Sequence, residues 1–264
     1  MKPRSVTPQD GVAWVVGASS GIGKAIALEL ARRGWTVAIS ARREAELAKV
    51  AAEAGDTRGR VIAHVADVTD AEGLAACHAR IEQAHGPIAL AIFNAGIAPY
   101  VRAPKLDLAA VRQVFDVNTI AVYSGMAAVL PAMAQRGKGQ IAVTGSIAGY
   151  GGLPKAAAYG ATKAAIIHLC EALKFDCDNL GIKLQLISPG FIKTPLTEEN
   201  DFPMPFLMSE EKAGRRCVDG FGRNSFEIVF PRRLAYILKL VNLLPYWLYF
   251  PLVASATGWK GRKD

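Results

Sequence analysis

Three side chains in the second half of the chain have types and a spacing that can move a proton. In "TGSIAGYGGLPKAAAYGATK" Ser146 follows a strand-like run, and Tyr159 and Lys163 stand four residues apart. On a helix that spacing puts the phenol and the amine on one face. A tyrosine is ordinarily protonated at neutral pH, with a pKa of roughly 10. A nearby cation stabilises the phenolate and brings the group toward acid–base range. Taken alone, a Tyr and a Lys four apart are equally ordinary helix residues, so the pattern needs a second observation.

That observation lies near the N-terminus. After the run "VAWVV" comes "GASSGIG", with Gly17, Gly21 and Gly23 where the chain turns into a helix and Ser19, Ser20 and Ile22 between them. Glycines there permit a tight turn and let a pyrophosphate approach the backbone N–H groups at the helix's positive end. The second strand-like run ends in "SARRE", where a dinucleotide-binding fold reads the adenosine ribose. An acidic side chain would accept from a 2′-hydroxyl, whereas Arg42 or Arg43 would pair with a 2′-phosphate. Ala41 and Arg42 therefore favour NADP(H) over NAD, the alternative being two solvated arginines opening a helix. With a nicotinamide present, its positive oxidised ring joins Lys163 in stabilising the Tyr159 phenolate, and the proton balances a hydride transfer.

These residues must be held by a repeating frame. The runs "VAWVV", "TVAIS", "RVIAHV", "IALAIFN", "GQIAVTG" and "KLQLIS" read as strands buried on both faces. Helical spacing of apolar residues is expected over 22–33, 43–53, 70–85, 107–135 and 156–180. The alternation predicts an α/β fold, a doubly wound parallel sheet (Rossmann fold) with ligands beyond the strands' carboxyl ends. The 264 residues are expected to form a single domain, 1–264, with a substrate lid over about 191–225 and an apolar, basic extension over about 231–264. Within the lid, "TEENDFPMPFLMSEEK" reads as an irregular, proline-broken insertion leading into a short helix.

Composition limits the classes. A chain 51% hydrophobic and 20% charged, with a formal net charge of +8, is not disordered and is attracted to polyanions. The excess charge is matched by no nucleic-acid-binding motif, so no nucleic acid is expected as a partner. Cys77, Cys170, Cys177 and Cys217 show no paired spacing and are expected to be reduced cytosolic thiols. The N-terminal segment lacks the apolar run of a signal peptide, so a cytoplasmic location is expected. No metal-ligating cluster is apparent.

From "GASSGIG" through "DVTD", "NAG", "VN", the Ser and YxxxK set and "SPGFIKT", the order and spacing over about residues 10–195 resemble the short-chain dehydrogenase/reductase family. The resemblance implies that Asp67 and Val68 meet the adenine and that Asn94 and Gly96 shape the cofactor cleft. It implies a catalytic set of Asn118, holding a water in the proton relay, Ser146, orienting the carbonyl oxygen, Tyr159 as acid–base and Lys163 as ribose ligand. Pro189, Gly190, Ile192 and Thr194 would hold the nicotinamide. Val16 stands where the family commonly has Thr, and Phe93 replaces the first Asn of "NNAG", which should soften hydrogen bonding at the turn. The family commonly dimerises through the helices here expected at 107–135 and 156–180, so a homodimer or homotetramer is implied.

Beyond the match, Phe202, Met204, Phe206, Leu207 and Met208 suit an adaptable apolar wall over a substrate. The stretch "FPRRLAYILKLVNLLPYWLYFPLV" follows an expected edge strand, "FEIVFP". Its Lys239 and Asn242, with Pro245 and Pro251 as breaks, argue against a span of about 20 apolar residues. Trp247, Tyr246, Tyr249 and Phe250, flanked by Arg232, Arg233, Lys260, Arg262 and Lys263, suit either packing on the domain or on a dimer partner, or a peripheral membrane contact. This ending is similar to that of the family's branch acting on steroids, retinoids and other lipids. The leading expectation is an NADPH-dependent reductase, or secondary-alcohol dehydrogenase, of a hydrophobic substrate. The alternatives are an NAD(P)-dependent dehydrogenase of a small alcohol and a non-catalytic NADP-binding sensor or scaffold.

Overall fold

The structure, a computed structural model, describes residues 3–198, 200 and 202–259. The six expected strands form as β1 (Val12–Val16), β2 (Thr36–Ala41), β3 (Arg60–Val65), β4 (Ile88–Phe93), β5 (Gly139–Thr144) and β6 (Ile182–Pro189). The helices between them are α1 (Gly21–Arg32), α2 (Glu44–Glu53), α3 (Ala71–His85), α4 (Leu108–Phe115), α5 (Ala121–Arg136) and α6 (Ala157–Asn179). Two-residue strands β7 (Ile192–Lys193) and β8 (Met208–Ser209) pair with each other. Helix α7 (Glu210–Phe221), strand β9 (Glu227–Phe230), α8 (Arg232–Val241) and α9 (Tyr246–Ala256) complete the order.

The main sheet runs β3-β2-β1-β4-β5-β6-β9, every pairing parallel. Parallel neighbours require crossover helices, and these cover both faces. On one face Ile26 and Leu30 of α1, Leu47 of α2 and Phe221 of α7 close over Val15 and Ile39. On the other, Leu74 of α3, Met126 of α5 and Ile166 of α6 close over Trp14 and Ile141. The order reverses between β1 and β4, the crevice where such sheets bind ligands.

Two details depart from the sequence reading. Strand β3 is not buried on both faces: it has β2 on one side and solvent on the other, and its Val65 is exposed. The expected helix over 107–135 is interrupted by a π-helical turn, Asp116–Ile120, which carries Asn118 into the interior. Wide turns of this kind cluster at functional sites. Among the described residues the run Leu108–Arg136 alone is long and apolar enough to cross a membrane, but Val114, Val122, Met126, Val129 and Met133 bury its inner side in the domain. The tail forms two helices of 10 and 11 residues, each too short for a span. Pro245 separates them, as expected, whereas Pro251 sits inside α9 without breaking it. All four cysteines are free and buried.

Candidate active site

A cleft of about 340 Å³ opens at the carboxyl ends of β1, β2, β4, β5 and β6. It takes in nearly every residue singled out from the sequence. Gly17, Ser19, Ser20, Gly21 and Ile22 form one wall, and Arg42, Arg43, Asp67 and Val68 one end. Asn94 and Gly96 lie along the middle, Ser146, Tyr159 and Lys163 at the other end, and Pro189, Gly190, Ile192 and Thr194 opposite. Gly23 and Asn118 stand behind this lining. Phe202, Met204, Phe206, Leu207 and Met208 do not line the cleft. Met208 packs toward the core beside β7, Phe206 and Leu207 face solvent, and Pro195, Leu196 and Thr197 form the near wall instead.

The glycine turn fits a pyrophosphate. Ser20 caps α1 with no side-chain hydrogen bond, so the first amides of the helix keep donors for an anion. Gly17 adopts φ +83, and a Cβ there would meet the Ala95 backbone nitrogen at 2.4 Å. A Cβ on Gly23 would meet the Gly17 carbonyl oxygen at 2.1 Å, so α1 approaches the turn as only glycine allows. Gly23→Ala is therefore expected to destabilise the protein by about 1–3 kcal/mol and to weaken dinucleotide binding, checked by urea denaturation and fluorescence titration.

At the adenosine end the Arg43 guanidinium donates to Ser19 Oγ at 3.1 Å, tying the end of β2 to the glycine turn. Arg42 and Arg43 are both exposed. Asp67 accepts from the Thr69 amide at 2.9 Å and its hydroxyl at 2.8 Å. Those bonds, with Arg42 nearby, hold its carboxyl below the usual carboxylate range. In the middle, Asn94 donates to the Gly17 carbonyl at 3.1 Å and accepts from Thr144 Oγ1 at 3.1 Å. Phe93 is buried, edge-on to Trp14 and against Gly125 of α5. Apolar packing thus replaces the hydrogen bonding that the family pattern has at this position.

The chemical end is built by β5, α6 and the π turn. Ser146, just past β5, accepts from the Ala148 amide at 3.1 Å and hydrogen-bonds the Tyr159 phenol. Burial pushes that phenol above its ordinary pKa, and the Ser146 bond offsets this only in part. Lys163 is buried, its Nζ donating to the Thr144 carbonyl at 2.7 Å and lying 5.7 Å from the Tyr159 ring centroid. Burial lowers its pKa to about 8. Burial thus raises the phenol pKa on balance, where a lowering by Lys163 was expected, and the Lys163 Nζ lies over the ring. Asn118 exchanges two bonds with the Ile97 backbone, at 2.8 and 2.9 Å, and donates to Thr162 Oγ1 at 3.2 Å. Thr162 in turn donates to the Tyr159 carbonyl at 2.7 Å.

Thr144 and Thr162 are parts of this arrangement that sequence reasoning missed. Thr144 acts through a backbone carbonyl, which no side-chain pattern reveals; its place two residues before Ser146 was the only signal. A second missed cluster adjoins the site: Tyr150 and Ser188 both donate to Glu227, which Lys239 of α8 also binds. Among the described residues no cluster suits a metal ion.

The short chain dehydrogenase family pattern matches residues 11–203. An uncharacterized oxidoreductase of Myxococcus xanthus is 36% identical over 237 residues, 90% of this chain and 94% of that protein. Cyclohexanol dehydrogenase of Acinetobacter sp. is 35% identical over 189 residues, 71% of this chain and 75% of that protein. The crystal structure of a short chain dehydrogenase/reductase from Burkholderia phymatum in complex with NAD matches with a TM-score of 0.79 at 22% identity, over 87% of this chain and 92% of that one. This last likeness concerns the fold. With its glycine turn, its Ser, Tyr and Lys at one end of the cleft and matches across most of its length, the chain belongs to the short-chain dehydrogenase family and is an oxidoreductase.

Proposed function

We propose that the chain interconverts a hydrophobic ketone or aldehyde and its alcohol with NADP(H), working as a reductase where NADPH prevails. The observation that carries this reading is the pairing of Ser146 and Tyr159 hydroxyls in one cleft with a glycine-turned helix start. When bound, the nicotinamide supplies or accepts the hydride. The chain's residues do the rest. Ser146 and Tyr159 hold the substrate oxygen between two hydroxyls, stabilising negative charge that grows in the transition state. Tyr159 gives its proton to that oxygen, and Lys163, fixed on the Thr144 carbonyl, favours the phenolate left behind. Asn118, bonded to the Ile97 backbone and to Thr162, keeps the loop over 95–97 and the first turns of α6 in register with this pair.

The exposed arginines at the end of β2, standing where an acidic side chain would accept from a 2′-hydroxyl, support NADP(H) over NAD. A charge-assisted pair with a 2′-phosphate contributes about 1.5–3 kcal/mol. Arg42→Ala combined with Arg43→Ala should then raise KM for NADPH about tenfold or more and leave NADH kinetics nearly unchanged. An equal loss with both cofactors would remove the arginines from the ribose.

A hydrophobic substrate is supported by the apolar side chains Ile97, Val117 and Leu196 in the cleft lining. The relative named for cyclohexanol, a secondary alcohol on an apolar ring, agrees with such chemistry. The test is a carbonyl panel from short polar ketones to cyclohexanone, long-chain and steroid ketones, run with NADPH and with NADH. Preference for small polar ketones, or for NADH, would overturn the substrate or the cofactor assignment respectively.

A further inference from the structure

The outer side of the tail is more apolar than a water-facing surface needs to be. On α8, Tyr236, Ile237 and Leu240 are 56%, 53% and 66% exposed, followed by Leu243 at 80%. These positions share one helix face. Opposite them Ala235 is buried and Leu234 lies against Gly190 of the cleft wall. On α9 only Tyr249 and Val253 are buried, while Tyr246, Trp247 and Phe250 are 76%, 73% and 60% exposed. Tyr246 and Phe250 stack at 5.5 Å on that outer side. An open groove of about 630 Å³ beside α8, lined by Ile167, Tyr236, Leu240 and Leu243 with Lys239 and Asn242 among them, widens the face. A helix apolar on nearly all sides is normally buried, and exposed patches of this kind mark a docking surface.

The charge pattern selects the occupant. From residue 228 to residue 263 the sequence contains Arg232, Arg233, Lys239, Lys260, Arg262 and Lys263 and no Asp or Glu. Lys260, Arg262 and Lys263 lie outside the described residues. Two copies of this face would oppose like charges, whereas an anionic lipid surface complements them. Trp and Tyr beside Leu and Phe, with arginines at the helix start, match the polar-to-apolar gradient of a lipid headgroup layer. Lys239 stands at the edge of this groove, 45% exposed, but its charge is met by Glu227 and its ammonium lies over the Tyr150 ring.

The same helices touch the rim of the cleft. Tyr249 donates to the Gly152 carbonyl at 2.8 Å, in the loop between Ser146 and α6. Arg102 lies over the Trp259 ring at 4.9 Å, and Val101 pairs with Ala156 in a short bridge. Tyr100 donates to Asn200 at 2.8 Å, which continues the rim to the 196–207 loop with its exposed Phe206 and Leu207.

We propose that the outer face of α8 and α9 docks on an anionic lipid surface and sets the rim of the cleft beside that surface. The docking goes beyond the proposed reaction and does not depend on it.

The test uses the full chain with two vesicle preparations, phosphatidylcholine alone and phosphatidylcholine with phosphatidylglycerol at about one part in three. The protein is expected to sediment with the anionic vesicles and bind them about tenfold or more tightly than the neutral ones. Trp247→Ser with Phe250→Ser, both at exposed positions, should weaken binding about tenfold while leaving the unfolding midpoint unchanged. Arg232→Gln with Arg233→Gln should remove the preference for anionic vesicles. Wild-type protein that stays in the supernatant with both vesicles overturns the proposal. So does undiminished binding by the Trp247 and Phe250 variant, or a shift from dimer to monomer in that variant without vesicle binding by the wild type, which would make the face a contact between copies. Sedimentation reads docking without turnover, so a lipid-inert protein that still reduces carbonyls overturns only the docking. A vesicle-bound protein inert with every carbonyl overturns only the reaction.

Discussion

Tyr159→Phe is expected to lower kcat by about 10³-fold or more, with NADPH affinity within about threefold of the wild type. The substitution deletes one oxygen and keeps the ring that lies above Lys163. Ser146 retains its bond from the Ala148 amide, and Lys163 its bond to the Thr144 carbonyl, so the architecture has no reason to relax. Two functions vanish together: the proton for the substrate oxygen and one of the two hydroxyls stabilising charge on it. A general acid typically contributes about 10²–10⁴-fold, and a positioned donor to a developing oxyanion about 10²–10³-fold. Because one hydroxyl does both, the losses do not multiply. Measurement would pair steady-state NADPH oxidation, using the best member of the carbonyl panel, with fluorescence titration of NADPH. Activity within tenfold of the wild type would remove Tyr159 from the chemistry.

How much of this was legible in the sequence follows the range of the interactions. The turn at Gly17, Gly21 and Gly23 and the Tyr159–Lys163 pair depend on neighbours a few residues away, and both stand where their spacing implied. The alternating apolar runs carried the sheet, because parallel strands under helices on both faces can be nearly uniform in hydrophobicity. Strand β3 broke that uniformity since its burial depends on its place at the sheet's edge, which a run of six residues does not encode. The π turn at Asn118 was invisible for a related reason. A wide turn of five residues is too short to show a period of its own, yet it turns the amide onto the Ile97 backbone. Within the segment read as a lid, Ile192 and 194–197 meet the cleft, whereas the side chains read as its apolar wall do not: Phe206, held at φ +61, and Leu207 face solvent. Irregular backbone leaves side-chain direction to contacts that no periodicity predicts.

The cluster around Glu227 extends that lesson to energetics. Tyr150, Ser188 and Lys239 come from the turn after Ser146, from β6 and from α8, yet all reach one half-buried carboxylate. Lys239, Tyr150 and Ser188 hold Glu227 below its usual pKa despite the opposing effect of burial. A charged group satisfied on three sides can fix the junction between the tail and the segment carrying Ser146, because leaving any partner unmet would strand a buried charge. In the sequence these four residues are separated by long, unrelated stretches. Only the fold makes them one unit.

Lys163→Met should lower kcat by about 10²-fold or more, and its clearest signature should be in stability against pH. Burial lowers the Lys163 pKa to about 8, whereas an unfolded lysine titrates at roughly 10.4. Below about pH 8 both states hold the proton, so the folded protein bears the whole burial penalty. Between about 8 and 10.4 the unfolded state binds one more proton, so stability rises with pH by about 1.4 kcal/mol per unit. Above that range neither state holds the proton and the penalty is gone. The full rise attributable to Lys163 is therefore about 3 kcal/mol. Lys183, buried on β6 and also lowered to about 8 by burial, adds a parallel rise that the Lys163→Met variant keeps. The difference between wild type and variant, from urea denaturation at a series of pH values, isolates one proton. Methionine keeps the chain length but leaves the Thr144 carbonyl without its donor, so the variant's absolute stability can move either way while the pH-dependent difference does not. If wild type and variant rise in parallel from pH 8 to 10, Lys163 is not the buried ammonium that holds the floor of this cleft.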